Sequence, residues 1–416
     1  MQQWARFAIL GAMFVVAYLL ILAWQKDYGH AETQPQPQQA AAVSHEVSAD
    51  LPNAQTASAA SDMPQANIAT QQPATEAKAS VNQQLISVQT DLYHLWINPK
   101  GGDIVRIELL NHDKSKDSNE AFVMLESDAK RTYVAQSGLI GLNGPDSNRS
   151  GRPMYEIEKS AYTLNDAKAV QTEDGKSIKV LTVPMVLKTA DGVEIIKTFT
   201  FKQGEYPVVV NHKVVNRSGQ NWQGQMFGQL KRDNSDDPGK SDQGIFTLGT
   251  FLGGAWGSPE EHYNKLKFAN FNEEKLNVEA KGGWVAMVQH YFVSAWIPGD
   301  LKLTQANGQP YVAKLESRKS TDDMNIIGFT SPTITVPAGT VAEIDATFYS
   351  GPKVQSELKE LATGLNQTVD YGWLWPIAKL LFLGLEFFHG LVGNWGWAII
   401  LLTVLVKLIL WPLSSK

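Results

Sequence analysis

In the run 398–413, AIILLTVLVKLILWPL, one ammonium stands in an otherwise apolar stretch. Lys407 lies about ten residues into it, roughly 15 Å along a helix. That depth is close to the middle of a hydrocarbon core about 30 Å thick. A lysine there costs about 2.5–3.5 kcal/mol on insertion scales and usually faces a bundle interior or a wet cavity. Snorkelling toward headgroups near Trp411 and Pro412 is the other reading, and the residues do not separate the two. Thr403, four positions earlier, adds a hydroxyl to the same helical face. The pair forms a polar stripe directed at something wet.

Other chemistries find little support. The chain has 416 residues and no cysteine, which excludes disulfides, thiolate metal sites and cysteine nucleophiles. Its eight histidines show neither HExxH nor HxH spacing, so no metal site is expected. The acidic run 233–244 lacks the DxDxDG spacing of a calcium loop. No GxSxG, phosphate loop or dinucleotide fingerprint occurs. A net charge of −6 without a dense Lys/Arg block argues against a nucleic-acid partner. A large β-sandwich could house a carbohydrate enzyme, but that needs two positioned acid/base groups, and the sequence nominates none. Catalytic residues and cofactors are therefore both expected to be none.

The elements that must position Lys407 follow from composition. Residues 1–6 read as a cytoplasmic N-terminus, and 7–24 as an uncharged anchor flanked by Trp4 and Trp24. A cleaved signal peptide is the alternative for that segment. Residues 25–84 are rich in Ala, Gln, Ser, Thr and Pro, and read as a flexible tether. From 85 to 350, short β-branched and aromatic runs alternate with turn signals such as NPKGGD, TADG and VPAG. Within these, Ile178, Val180 and Thr182 share one face, and so do Phe199 and Phe201. This predicts a large sandwich or barrel, with the apolar stretch 282–300 as core strands. Leu358, Leu361 and Leu365 at helical spacing predict a connecting helix in 351–369. In 370–392, Lys379, Glu386 and His389 fall on one face of a very apolar helix that begins with Trp373 and Trp375. That pattern suits a helix lying in a membrane interface, with a true span as the rival. Residues 396–413 are expected to be a second transmembrane span.

Anchor, tether, large β domain, interfacial helix and a span with a central cation, in that order, resemble the oxidase-assembly/YidC family of membrane-protein insertases. The likeness is carried by INPKGGDIVRIEL (97–109), KTFTFKQGEYPVVVNHKVVN (197–216), GGWVAMVQHYFVSAWIP (282–298) and the stretch 349–403. It runs the length of the chain and is weakest in the tether. The resemblance implies a mainly β periplasmic domain, a galactose-mutarotase-like β-supersandwich without catalysis, plus α-helical membrane segments. It implies a bacterial inner-membrane location with the N-terminus cytoplasmic and the large domain periplasmic. It also implies a hydrophilic groove whose central cation attracts a nascent membrane protein, at the position of Lys407, with Thr403 as a substrate contact. The family more often has arginine there, and lysine loses the guanidinium fork. The expected partners are nascent membrane proteins, Sec translocon components and the lipid bilayer. A ribosome contact is expected only through a C-terminal part beyond this sequence, because four spans of the family's five-span core do not occur in it. A membrane-anchored periplasmic carbohydrate-binding or mutarotase-like enzyme is the alternative function.

Overall fold

The computed structural model describes residues 84–115, 118–148, 151–172, 175–238, 251–299, 311–369 and 375–414. Among them, strands assemble into two large sheets, of eleven and ten strands. The first is centred on Asp103–Asp113, Thr132–Ile140, Trp222–Arg232 and Asn325–Thr330. The second is centred on Phe292–Pro298, Val341–Pro352, Val208–Asn216, Val193–Lys202 and Ser177–Lys188. Both sheets end in short strands, Asn277–Ala280 and Ala161–Thr163 in the first, Asn264–Lys267 and Glu156–Ile157 in the second. Short edges limit strand addition by another chain.

Alternation explains which residues fill the space between the sheets. Val193–Lys202 and Val208–Asn216 bury every second side chain, as period 2 requires of a strand with one core face. Phe199, Phe201, Val210 and Phe348 enter from the second sheet, and Leu139, Met226 and Leu230 belong to the same core. In Ser177–Lys188 the core face is Leu181, Val183 and Met185, whereas Thr182 on the opposite face is exposed. Residues 284–288 and 292–298 form two strands that are almost wholly buried. Trp296 needs room, and Gly228 supplies it: a Cβ there would lie 2.9 Å from the indole. The indole N–H donates to the Gln229 carbonyl at 3.1 Å, a polar link between the sheets.

After Val341–Pro352 the chain forms a short helix, α1 (Gln355–Leu361), and a 3-10 turn at Leu365–Thr368. Leu358 and Leu365 are fully buried in the domain core, and the Trp284 indole donates to the Thr363 carbonyl at 2.9 Å. Gly364 has φ +84, and a Cβ there would overlap the His262 carbonyl. Only glycine fits this corner without strain.

Two helices follow, α2 (Trp375–Val392) and α3 (Trp395–Ser414). Among the described residues no helix is long and apolar enough to cross a membrane. The expected α-helical membrane segments are corrected accordingly. Lys407, Thr403 and the opening Trp395-Gly396-Trp397 lower the hydropathy of α3. The expected inner-membrane, multi-span topology is corrected by the same finding. The anchor 7–24 and most of the tether lie outside the described residues.

Candidate functional site

The cation singled out by the sequence sits on a helical hairpin. Gly393, at φ +65, ends α2 and donates its N–H to the His389 carbonyl at 2.8 Å. This is the left-handed stop that glycine provides at no steric cost. Asn394 then caps α3, its side-chain oxygen accepting from the N–H groups of Gly396 (2.8 Å) and Trp397 (3.3 Å). The His389 and Trp395 rings stack across the corner at 3.8 Å. Gly384 of α2 lies against Leu402 of α3, where a Cβ would stand 3.0 Å from the leucine methyl.

Lys407 is exposed on α3 and forms no ion pair among the described residues. Thr403, also exposed, donates its hydroxyl proton to the Ile399 carbonyl at 2.7 Å. Its oxygen lone pairs remain free to accept, so beside an ammonium it offers an acceptor rather than a second donor. Around them Ile399, Ile400, Val404, Leu408 and Ile409 are also exposed. Glu386 is exposed on α2 and is not ion-paired with Lys407. Trp375 and Lys379 belong to α2, but their side chains, like Trp373 as a whole, lie outside the described residues.

A second charged constellation, inside the β domain, was missed from the sequence. Lys197 belongs to Val193–Lys202 and is fully buried. Its Nζ donates to the carbonyls of Gly101 (2.9 Å), Gly102 (3.0 Å) and Ser137 (2.8 Å). Three acceptors match the three protons of an ammonium. Arg152 pairs with Asp103 at 2.8 Å and Asp146 at 2.5 Å, and donates to the carbonyls of Gly101 and Ser137. Asp146 also accepts the Leu139 N–H at 2.8 Å. Gly101 and Gly102 take φ +77 and +67, the left-handed turn that brings both carbonyls to one point.

Electrostatics follow from this enclosure. Burial, and then Arg152, push the Lys197 ammonium down to about 7, against Asp103 and Asp146. Burial likewise pushes the Asp146 carboxyl up, against Arg152 and Lys197. His212 pairs across the strands with Lys197, is fully buried, and has no partner on either ring nitrogen. Burial, then Lys197 and Arg152, hold its pKa well below the ordinary range. The signal was present in EIIKTFTFK: position 197 falls in the inward set with Ile195, Phe199 and Phe201. A lysine at an inward position of a core strand has to find partners inside.

His212 is therefore a net cost to the fold. His212→Leu is expected to raise the unfolding free energy by about 1–2 kcal/mol, because two unpaired buried nitrogens are removed. It should also blunt the loss of stability below pH 6.5, where the unfolded chain takes up a proton that the native ring refuses. Urea titrations of both chains at pH 5 and pH 7 check this; a destabilised variant with unchanged acid sensitivity contradicts it.

None of these groups forms a nucleophile–base pair, and among the described residues no cluster of three His, Asp or Glu could hold a metal ion. The architecture is that of a two-sheet β domain with a charged internal lock, followed by an apolar helical hairpin with Lys379 in its first helix and Lys407 in its second. The family described as "YidC periplasmic domain" matches residues 85–383. The membrane protein insertase YidC of Pseudomonas putida is 42% identical over 412 residues, covering 99% of this chain and 69% of that protein. That of Stutzerimonas stutzeri is 42% identical over 414 residues, with the same coverage. The chain belongs to the YidC family of membrane protein insertases, and, as that membership implies, it is not an enzyme. Among solved structures, a galactose mutarotase related enzyme from Lactobacillus acidophilus aligns with TM-score 0.39 at 10% identity, covering 64% of this chain and 97% of that one. A likeness of that size carries no functional argument.

Proposed function

We propose that the chain acts in the insertion and folding of nascent inner-membrane proteins, alone or with Sec translocon components, and that Lys407 is its contact for an acidic or polar segment of the substrate. The observation that carries this reading is an exposed ammonium, without an ion pair among the described residues, on an otherwise apolar helix face, with the Thr403 hydroxyl one turn away. In apolar surroundings a single charge attracts an opposite one far more strongly than in water. Holding a polar segment there lowers the cost of carrying it past hydrocarbon, and apolar substrate segments then partition into lipid on their own. The hydrophilic groove of the family would supply the other walls around Lys407. Trp373, Trp375, Lys379 and Glu386 place α2 at a lipid–water interface in this reading, its aromatic end at headgroup level.

The test is photocrosslinking from a probe at position 403 to a nascent membrane protein in native membranes. Lys407→Glu is expected to reduce the crosslink about tenfold, equivalent to ~1.4 kcal/mol, and Lys407→Arg to retain it. Equal yields with glutamate and lysine would remove the charge from the mechanism.

A further inference from the structure

The α2–α3 hairpin is held at two places. One is the corner, where Gly393 turns left-handed, Asn394 caps α3, and the His389 and Trp395 rings stack. The other lies nine residues from Gly393 on either side, where Gly384 meets Leu402. That is about 13 Å along each helix from the corner.

Burial shows where the two helices face each other. On α3, Ala398 is fully buried and Leu402 and Val406 are half-buried, whereas Thr403, Val404, Leu405 and Lys407 are exposed. A spacing of four keeps 398, 402 and 406 on one face. Thr403 follows Leu402 by one position, and Lys407 follows Val406 by one. Each therefore stands about 100° round the helix from this seam, on the same flank. On α2, Gly384, Leu385 and Phe388 are half-buried, while Leu383 and Phe387 are exposed. A Cβ at 384 would stand 3.0 Å from the Leu402 methyl. A small shift of that leucine side chain takes up one methyl group. It cannot take up a longer side chain, because the separation of packed helices, about 8–10 Å, follows the side chains at their contact.

We propose that Gly384 is a positioning residue for the substrate contact at Thr403 and Lys407, setting how far α3 opens from α2; this rests on Lys407 being that contact. The corner acts as a pivot, and Lys407 lies about 21 Å from it, beyond the Gly384 contact. Widening the seam by about 2 Å at Leu402, the difference between close and wide helix packing, moves Lys407 by about 3 Å. A charge-assisted hydrogen bond about 2.7–2.9 Å long does not survive a displacement of that size. Gly384 need not touch substrate: it acts through Leu402 and the helix that carries Thr403.

The chain has no cysteine, so spin labels on Leu380→Cys and Leu408→Cys, both at exposed positions, report the opening of the hairpin without background. A photoreactive probe at 403, crosslinking to a nascent membrane protein in native membranes, reports the substrate contact in the same variants. Gly384→Ala is expected to leave both readings near those of the parent. Gly384→Leu should lengthen the label distance by about 3 Å and lower the crosslink about tenfold, the loss of one hydrogen bond to a charged group. Adding Leu402→Ala should return both. Should the leucine variant not accumulate, Leu402→Phe opens the same seam from the other side and is expected to act alike. A longer distance with an unchanged crosslink overturns the proposal, and so does an unchanged distance. A crosslink that stays low after Leu402→Ala has restored the distance also overturns it. If Lys407→Glu keeps the crosslink while Gly384→Leu loses it and Leu402→Ala restores it, the charge reading fails and the positioning role of Gly384 stands.

Discussion

Lys197→Met is expected to lower the unfolding free energy by roughly 3–5 kcal/mol, the cost of removing one partner from a buried ionic network. Methionine fills much the same volume, so the loss is electrostatic rather than steric. The carbonyls of Gly101, Gly102 and Ser137 each lose a donor, and an unsatisfied buried acceptor costs about 1–3 kcal/mol. Asp103 and Asp146 then face Arg152 alone, leaving one buried negative charge in excess. The lock joins the two sheets, because Lys197 comes from the second and Ser137 from the first. Urea unfolding of the full chain, followed by tryptophan fluorescence, should show a lower midpoint with an unchanged slope. A midpoint within error of the parent's would mean that the lock adds nothing to stability.

The second large effect is a dependence on pH carried by the same amine. Native Lys197 titrates near 7, whereas an unburied lysine keeps its proton to about 10.5. Between these values the unfolded chain binds more protons than the native one at this position. Stability therefore rises as pH rises through the window, by up to about 1.4 kcal/mol per unit from this group. Below pH 7 both states are protonated and the contribution is flat. Subtracting the profile of Lys197→Met from that of the parent, from pH 6 to pH 10, isolates the term. The difference should climb with alkalinity and level off toward pH 10.5. A difference that is flat, or that falls, would show that the ammonium remains protonated throughout, held by its carbonyls and carboxylates.

Different parts of the chain were legible to different degrees. The inward phase of Phe199 and Phe201 could be read directly, since a strand with one buried face has to repeat every second residue. The run 284–298 announced itself by its dense apolar and aromatic residues. The spacing of Thr403 and Lys407 on one helix face was equally plain. What surrounds them is another matter: the second span expected at 396–413 rested on hydropathy, and no described helix is long and apolar enough to cross a membrane. Arg131 and Arg232 gave no local sign of being buried, because charged residues at strand ends are usually solvated. Asp146 lies in a polar turn, GPDSN, that reads as surface, yet its carboxylate is almost wholly enclosed. Its place is taken where Gly138 leaves room for it: a Cβ on that glycine would overlap the carboxylate.

By itself the sequence determined the local periods of the strands, the positions of the turns, the stop at Gly393, and the presence of one cation in a long apolar stretch. These depend on neighbours a few residues apart, which share a strand or a helical turn in any fold. Tertiary structure alone decided which charges are enclosed and by what. Lys197 meets the carbonyls of Gly101 and Ser137 from 96 and 60 positions away, and the protonation of that amine follows from the enclosure. Desolvation acts on a group only when distant segments close over it, and no pattern of near neighbours records which segments those will be.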